Sequence, residues 1–142
     1  MGVSAGRVSF AFAAVEVLVV DDMDEMRILV RVSLRAAGFV VGEATSGAEA
    51  LALIDQLNPM VVVVDETLPG MSGLETARQI LQRRPDQLIV LFSASLNQRL
   101  GAAAVGVGVA ACVSKLRYQD LVPAVQALVS SGSTGCQEDF RL

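Results

Sequence analysis

The chain has 142 residues and a net charge of −4, and its composition is 53% hydrophobic but only 4% aromatic. This length predicts one domain with a core of Val, Leu, Ile and Ala. The acidic balance argues against a nucleic-acid surface within these residues. The sequence contains no histidine, which excludes Ser-His-Asp and Cys-His catalysis and the usual zinc sites.

The two ends of the chain differ in composition from its middle. Residues 1–14 are predicted to form a flexible extension, residues 15–130 the domain, and residues 131–142 a flexible tail or the stub of a linker. The longest stretch of low polarity, residues 100–113, is too short to cross a bilayer. The apolar stretch at residues 9–15 is interrupted by Glu16 and then continues straight into Asp21 and Asp22, which is unlike a signal peptide. We therefore expect no membrane segment and a cytoplasmic protein.

Short apolar runs alternate along the chain with amphipathic helical patterns. The runs predict strands at residues 16–20, 39–44, 60–64, 87–92 and 109–113. Apolar residues at helical spacing predict helices that begin near Asp24, Ser46, Ser72, Leu96 and Tyr118, with Asp24, Ser46 and Ser72 as capping residues of the first three. Val61–Val64 is four consecutive valines, typical of a central strand buried on both faces. The strict alternation predicts an α/β fold with a doubly wound parallel sheet.

Polar residues follow four of these predicted strands. They are Asp21 and Asp22 after the first strand, Asp65 after the third, Ser93 after the fourth, and Lys115, the sole lysine of the chain, after the fifth. Since the carboxyl ends of parallel strands share one edge of a sheet, we expect these side chains to converge. Two carboxylates about 4 Å apart repel by roughly 4 kcal/mol at an effective dielectric constant of about 20. Either one of these acids is therefore protonated or a cation lies among them. If a cation is bound, ligands that are all oxygen favour Mg²⁺.

A carboxylate beside Mg²⁺, a lysine and a hydroxyl is equipped to accept a phosphoryl group. Asp65 is the candidate nucleophile. The metal and Lys115 would neutralise charge on the transferring oxygens, and Ser93 could donate a hydrogen bond to one of them. An isolated Asp-Asp pair is more often a pair of solvated loop acids, but the lysine and the third acid at neighbouring strand ends favour the site.

The same residues resemble the response-regulator receiver domain, the CheY-like phosphoacceptor module of two-component signalling. The resemblance is carried by residues 17–22, the loop from Asp65 through Pro69 to Gly73, Ser93-Ala94, and Lys115, and it covers about residues 16–129. It implies a flavodoxin-like fold, with a five-stranded sheet of order 2-1-3-4-5 and five helices. It also implies a switch that is not a turnover enzyme.

The resemblance further implies the role of each site residue and the partners. Asp65 corresponds to the phosphorylated aspartate, Ser93 to the switch hydroxyl and Lys115 to the phosphate-binding lysine. Mg²⁺ would be bound by Asp65, by Asp22 directly, by Asp21 mainly through water, and by the backbone carbonyl of Thr67. The donor would be a sensor histidine kinase or a phosphotransfer protein. Phosphorylation would switch partner binding, or homodimerisation through the face of the fourth helix, fifth strand and fifth helix.

Two departures from the family pattern leave alternatives open. Cys112 stands where the family usually has an aromatic residue that reports the state of the switch, and Leu116 stands where a proline usually follows the lysine. We expect weaker coupling from Asp65 to the outer face, and a less fixed loop after the fifth strand. A pseudo-receiver that only binds partners is the first alternative. A Mg²⁺-dependent phosphatase is the second, although Thr67 stands where that class would place a second acid.

Overall fold

A computed structural model describes residues 14–131 of the chain. The strands are β1 (Val17–Val20), β2 (Val41–Ala44), β3 (Val61–Val64), β4 (Leu88–Ser93) and β5 (Ala111–Ser114). The α-helices are α1 (Asp24–Ala36), α2 (Gly47–Leu57), α3 (Gly73–Arg83), α4 (Gln98–Val107) and α5 (Leu121–Ser131). The predicted extension and tail lie outside the described residues, except for Ala14 and Ser131.

The predicted α/β fold is confirmed. All the strand pairs are parallel, and the sheet has the order β2-β1-β3-β4-β5. The edge position of β2 agrees with its mixed burial, whereas every residue of β1, β3 and β4 is buried. Sheets of this kind are covered on both faces, which explains why the central strands are almost purely apolar.

The helices divide between the two faces of the sheet. One face packs against Val30 and Leu34 of α1 and against α5, and the other against α2, α3 and α4. Successive residues of a strand point to opposite faces of the sheet, so the position of a residue in its strand decides which helices its side chain contacts. Phe92 therefore lies on the α1/α5 side, while Cys112 lies among the residues packed by α2–α4. Within residues 14–131, no helix has the length and apolarity needed to cross a membrane.

The N-termini of the helices agree in part with the predicted capping residues. Ser46 and Ser72 each accept a hydrogen bond from the backbone N–H three residues later, at 3.1 Å, as expected for N-caps. Asp24 does not cap α1, since it is the first helical residue and Met23 occupies the cap position without a side-chain bond. Asn97 caps α4, so this helix begins two residues after the predicted start at Leu96.

The segment after β5 differs most from the prediction. A 3-10 helix spans Lys115–Asp120, so Tyr118 precedes α5 and does not open it. The backbone leaves helical geometry inside this segment at Arg117, with φ −118° and ψ 54°. The N-cap is Ser114, whose hydroxyl accepts from the N–H of Leu116 at 3.1 Å. The apolar spacing that predicts the last helix is carried by Leu121, Val125 and Leu128, so it gives no signal for the short helix that precedes α5.

Candidate functional site

Three carboxylates converge at the carboxyl edge of the sheet. Asp21, Asp22 and Asp65 each place an oxygen within 4.8 Å of the others. Asp21 is 2% exposed and Asp65 is 6% exposed, whereas Asp22 lies open to solvent. Two of the acids are thus held in a low-dielectric environment and the third faces the solvent.

Strand register brings these acids together. Val20 of β1 is level with Val64 of β3, so Asp21 and Asp65 are the next residues on adjacent strands. The N–H of Asp65 donates to the Val20 carbonyl at 3.0 Å, which continues the ladder one step beyond the strands. The side chain of Asp21 also accepts from the N–H of Met23 at 2.9 Å, and this bond fixes the turn into α1.

The loop after β3 is packed closely against Asp65. The N–H of Thr67 donates to Asp65 Oδ1 at 3.3 Å, and the N–H of Gly73 donates to the Glu66 carbonyl at 2.9 Å. A Cβ on Gly73 would lie 2.3 Å from the carbonyl oxygen of Asp65. Only glycine allows the first turn of α3 to approach the backbone of the acid this closely.

Lys115 reaches into the acidic cluster from β5. Its Nζ lies 2.9 Å from Asp21 Oδ2 and 3.2 Å from Asp65 Oδ2, and its side chain is 8% exposed. The same ammonium lies 5.7 Å from the centroid of the Phe92 ring, within the range of a cation–π contact. The sole lysine of the chain is therefore placed between the two buried acids.

The electrostatics of Asp65 reflect its burial. Desolvation raises the pKa of this carboxyl above its usual range, and the neighbouring charge of Asp21 adds to the rise, while Lys115 opposes it. One buried ammonium does not balance three carboxylates. A further cation among the acids would favour the ionised form of Asp65. The donor set consists of oxygen alone, so it fits a hard divalent ion such as Mg²⁺.

Ser93 and Thr67 lie at the rim of the cluster. Ser93 is the last residue of β4 and is 1% exposed, and its hydroxyl bonds with the hydroxyl and the N–H of Ser95, each at 3.1 Å. Leu91 is level with Val64, so Ser93 lies one step beyond Asp65 along the edge. Thr67 is exposed. Phe92 and Tyr118 are not among the predicted site residues, and their contacts with each other and with Lys115 depend on the folded chain.

A family model described as the response regulator receiver domain matches residues 17–126. The chain belongs to this family, the receiver domains of two-component response regulators. Receiver domains are signalling switches, and they bind Mg²⁺ through an acidic pocket of this kind. The resemblance predicted from the strand-end residues is therefore confirmed.

Individual relatives and structures agree with this assignment. The chain is 36% identical over 93 residues to the chemotaxis protein CheY of Thermotoga maritima. The matched region covers 65% of this chain and 78% of the relative. It is 42% identical over 116 residues to a protein-glutamate methylesterase/protein-glutamine glutaminase of Agrobacterium fabrum, but that match covers 78% of this chain and only 32% of the relative. A two-component response regulator of the LuxR family from Aurantimonas has a similar structure, with a TM-score of 0.75, 28% identity, and coverage of 84% and 87% of the two chains.

Proposed function

We propose that Asp65 accepts a phosphoryl group from the phosphohistidine of a sensor histidine kinase or a phosphotransfer protein, and that this modification switches the domain between two states. The observation that carries the proposal is the position of Lys115 Nζ, 2.9 Å from Asp21 and 3.2 Å from Asp65. A cation held between two buried acids is suited to a reaction that brings new negative charge to this place.

The reaction is a transfer between two nucleophiles. A carboxylate oxygen of Asp65 forms a bond to phosphorus, the bond from phosphorus to the donor nitrogen breaks, and the leaving imidazole takes up a proton. The ammonium of Lys115 neutralises charge on the phosphoryl oxygens. Hydrolysis of the acyl phosphate later returns the carboxylate and releases phosphate. The domain thus ends each cycle unchanged, as a switch and not as a turnover enzyme on external substrates.

Mg²⁺ would be held by Asp21, Asp22, Asp65 and the carbonyl of Thr67, and when bound it would neutralise charge on the transferring oxygens. Asp22 is the better direct ligand because it is exposed. Both carboxylate oxygens of Asp21 already have partners, in Lys115 and the N–H of Met23. Asp21 is therefore suited to act mainly through water.

The response to phosphorylation would begin at Ser93. Its hydroxyl would exchange its bond with Ser95 for a bond to a phosphoryl oxygen, which draws the end of β4 toward Asp65. The resulting change would alter partner binding, or homodimerisation through the face of α4, β5 and α5. Cys112 points toward the α2–α4 side and is too small for the aromatic swing of the family, so transmission by another route is part of the proposal. We place the domain in the cytoplasm, where histidine kinases obtain their ATP.

The test is phosphorylation of the full chain by acetyl phosphate with Mg²⁺, followed by intact-mass spectrometry. We expect one acid-labile phosphoryl adduct on the parent, none on Asp65→Ala, and none when the metal is chelated. Asp86→Ala is the matched control, since it removes an exposed acid outside the cluster and should label like the parent.

Failure of the parent to label would overturn the proposal and leave a pseudo-receiver as the simpler assignment. An adduct that survives on Asp65→Ala would show that another residue is the acceptor. Steady turnover of many phosphate esters would indicate a phosphatase instead.

A further inference from the structure

Lys115 is held on its N-terminal side by Ser114, which pairs with Ser93 and caps the following turn, but the backbone after it has less support. The 3-10 helix that it opens loses helical geometry after two residues, at Arg117. Leu116, which stands where the family usually has proline, is 84% exposed and packs against little. A lysine side chain has four carbons and many rotamers, so an ammonium remains between two acids only if its Cα is also held in place. On the C-terminal side of Lys115, support must therefore come from a residue further along the segment.

Tyr118 ties this segment to α1. Its hydroxyl donates to the carbonyl oxygen of Leu29 at 3.1 Å and forms a short hydrogen bond with the hydroxyl of Ser33. Ser33 lies 85 residues away in sequence, so the contact joins two distant parts of the chain. Tyr118 carries the single hydroxyl group of the 3-10 helix Lys115–Asp120.

Phe92 links Tyr118 to Lys115. The rings of Phe92 and Tyr118 are tilted by 50° with centroids 6.2 Å apart, a favourable aromatic geometry. The Lys115 ammonium lies 5.7 Å from the centroid of the same Phe92 ring. Since Phe92 is 1% exposed and belongs to the core, it is a rigid support for both neighbours. A continuous set of contacts thus runs from α1 through Tyr118 and Phe92 to the ammonium.

We propose that Tyr118 is a positioning residue for Lys115: its hydrogen bonds to α1 hold the segment after β5 so that the ammonium stays between Asp21 and Asp65. The inference rests on the proposed function, because phosphoryl acceptance is the reaction in which Lys115 acts. It assigns to Tyr118 and Ser33 the support that a proline after the lysine would otherwise provide. Neither residue touches the phosphoryl group.

The test uses the chain's single lysine and single tyrosine as spectroscopic probes. The ¹³Cε NMR signal of a labelled lysine reports on Lys115 alone, and in the parent the Phe92 ring current should shift it from the value of an exposed lysine. Tyr118→Phe removes the hydroxyl and keeps the ring. A neutral hydrogen bond is worth about a two- to tenfold change in an equilibrium. We expect the lysine signal to move toward the exposed value and the phosphorylation rate at saturating acetyl phosphate to fall about two- to tenfold.

Two further variants separate positioning from loss of stability. Ser33→Ala removes one partner of the tyrosine and should give the same changes in smaller measure, together with a shift in the near-UV absorption of Tyr118. It keeps the inference testable if Tyr118→Phe folds poorly. Ile54→Val lies in the core of the opposite face of the sheet and loses comparable stability. It should change neither the lysine signal nor the rate.

The outcomes distinguish this inference from the proposed function. If the parent is phosphorylated and Tyr118→Phe leaves the lysine signal and the rate unchanged, the inference is overturned and the proposed function stands. If the parent is not phosphorylated, the proposed function fails, while the lysine signal still decides whether Tyr118 positions Lys115. A half-saturating Mg²⁺ concentration that rises in Tyr118→Phe would also overturn it, because the effect would then lie in metal binding and not in the lysine.

Discussion

Gly73→Ala tests how closely the site depends on the packing of the loop after β3. The new Cβ would lie 2.3 Å from the carbonyl oxygen of Asp65 and 2.8 Å from both Asp65 C and Glu66 Cα. All of these are backbone atoms, so no side-chain rotation relieves the contact. Either the first turn of α3 or the backbone of Asp65 must move.

The size of the movement sets the expected effect. Non-bonded heavy atoms are comfortable at roughly 3.5 Å, so the backbone must shift by about 1 Å. Overpacking of this kind costs about 1–3 kcal/mol of folding free energy. A displacement of about 1 Å at a reacting group lowers a rate by up to about 100-fold. We therefore expect lower stability together with a phosphorylation rate that falls by more than the loss of folded protein explains.

Urea unfolding followed by circular dichroism measures the stability, and acetyl phosphate labelling measures the rate. Gly106→Ala is the matched control, because Gly106 lies in α4 and a Cβ there meets nothing within 4 Å. Replacing an exposed helical glycine should stabilise the chain by about 0.5–1 kcal/mol and leave labelling unchanged. A Gly73→Ala protein with parental stability, within about 0.5 kcal/mol, and a parental rate would refute the reasoning.

Two further predictions concern an ion-pair group and a close helix contact, both outside the acidic cluster. Burial raises the pKa of Glu43, but the hydrogen bonds from Arg31 and Arg27 outweigh it and hold the pKa below its usual 4.5. The ion pairs stabilise the folded chain fully above about pH 4.5, and this stabilisation is lost as the pH falls through the folded-state pKa of Glu43. Glu43→Gln should therefore be less stable than the parent by about 1 kcal/mol at neutral pH, and the difference should narrow in acid. If urea unfolding gives the same difference in stability at both pH values, the ion pairs are not its cause. Gly47→Ala would place a Cβ 2.2 Å from Thr76 Oγ1. Urea unfolding should show a loss of about 1–3 kcal/mol in folding free energy, and a smaller loss when Thr76 is also replaced by alanine. The same loss in both backgrounds would contradict a clash between α2 and α3.

Much of the fold could be predicted because the strands are defined locally. Each apolar run is short, is bounded by polar or turn-forming residues, and alternates with a helical pattern. Because the same runs end at Asp21, Asp65 and Ser93, predicting the strands also predicted these site residues. The prediction differs from the structure after β5, where the last helix is predicted to begin near Tyr118 and the chain forms a 3-10 helix before α5.

The start of α1 shows a second kind of limit. Asp24 is a good capping residue by type, yet the turn is formed by Asp21, whose side chain accepts from the N–H of Met23. The choice between two nearby acids depends on how β1 ends against its neighbouring strand. That information is not contained in the local sequence.

The sequence by itself determined which residues stand at the strand ends, because burial periodicity is a property of neighbouring residues. Only the tertiary structure decided how they pair. Lys115 meets Asp21 across 94 residues, and Tyr118 meets Ser33 across 85, contacts that depend on strand register and on the path of the segment after β5. The same packing buried Asp21 and Asp65 and left Asp22 exposed, a difference between adjacent acids that their shared residue type could not reveal.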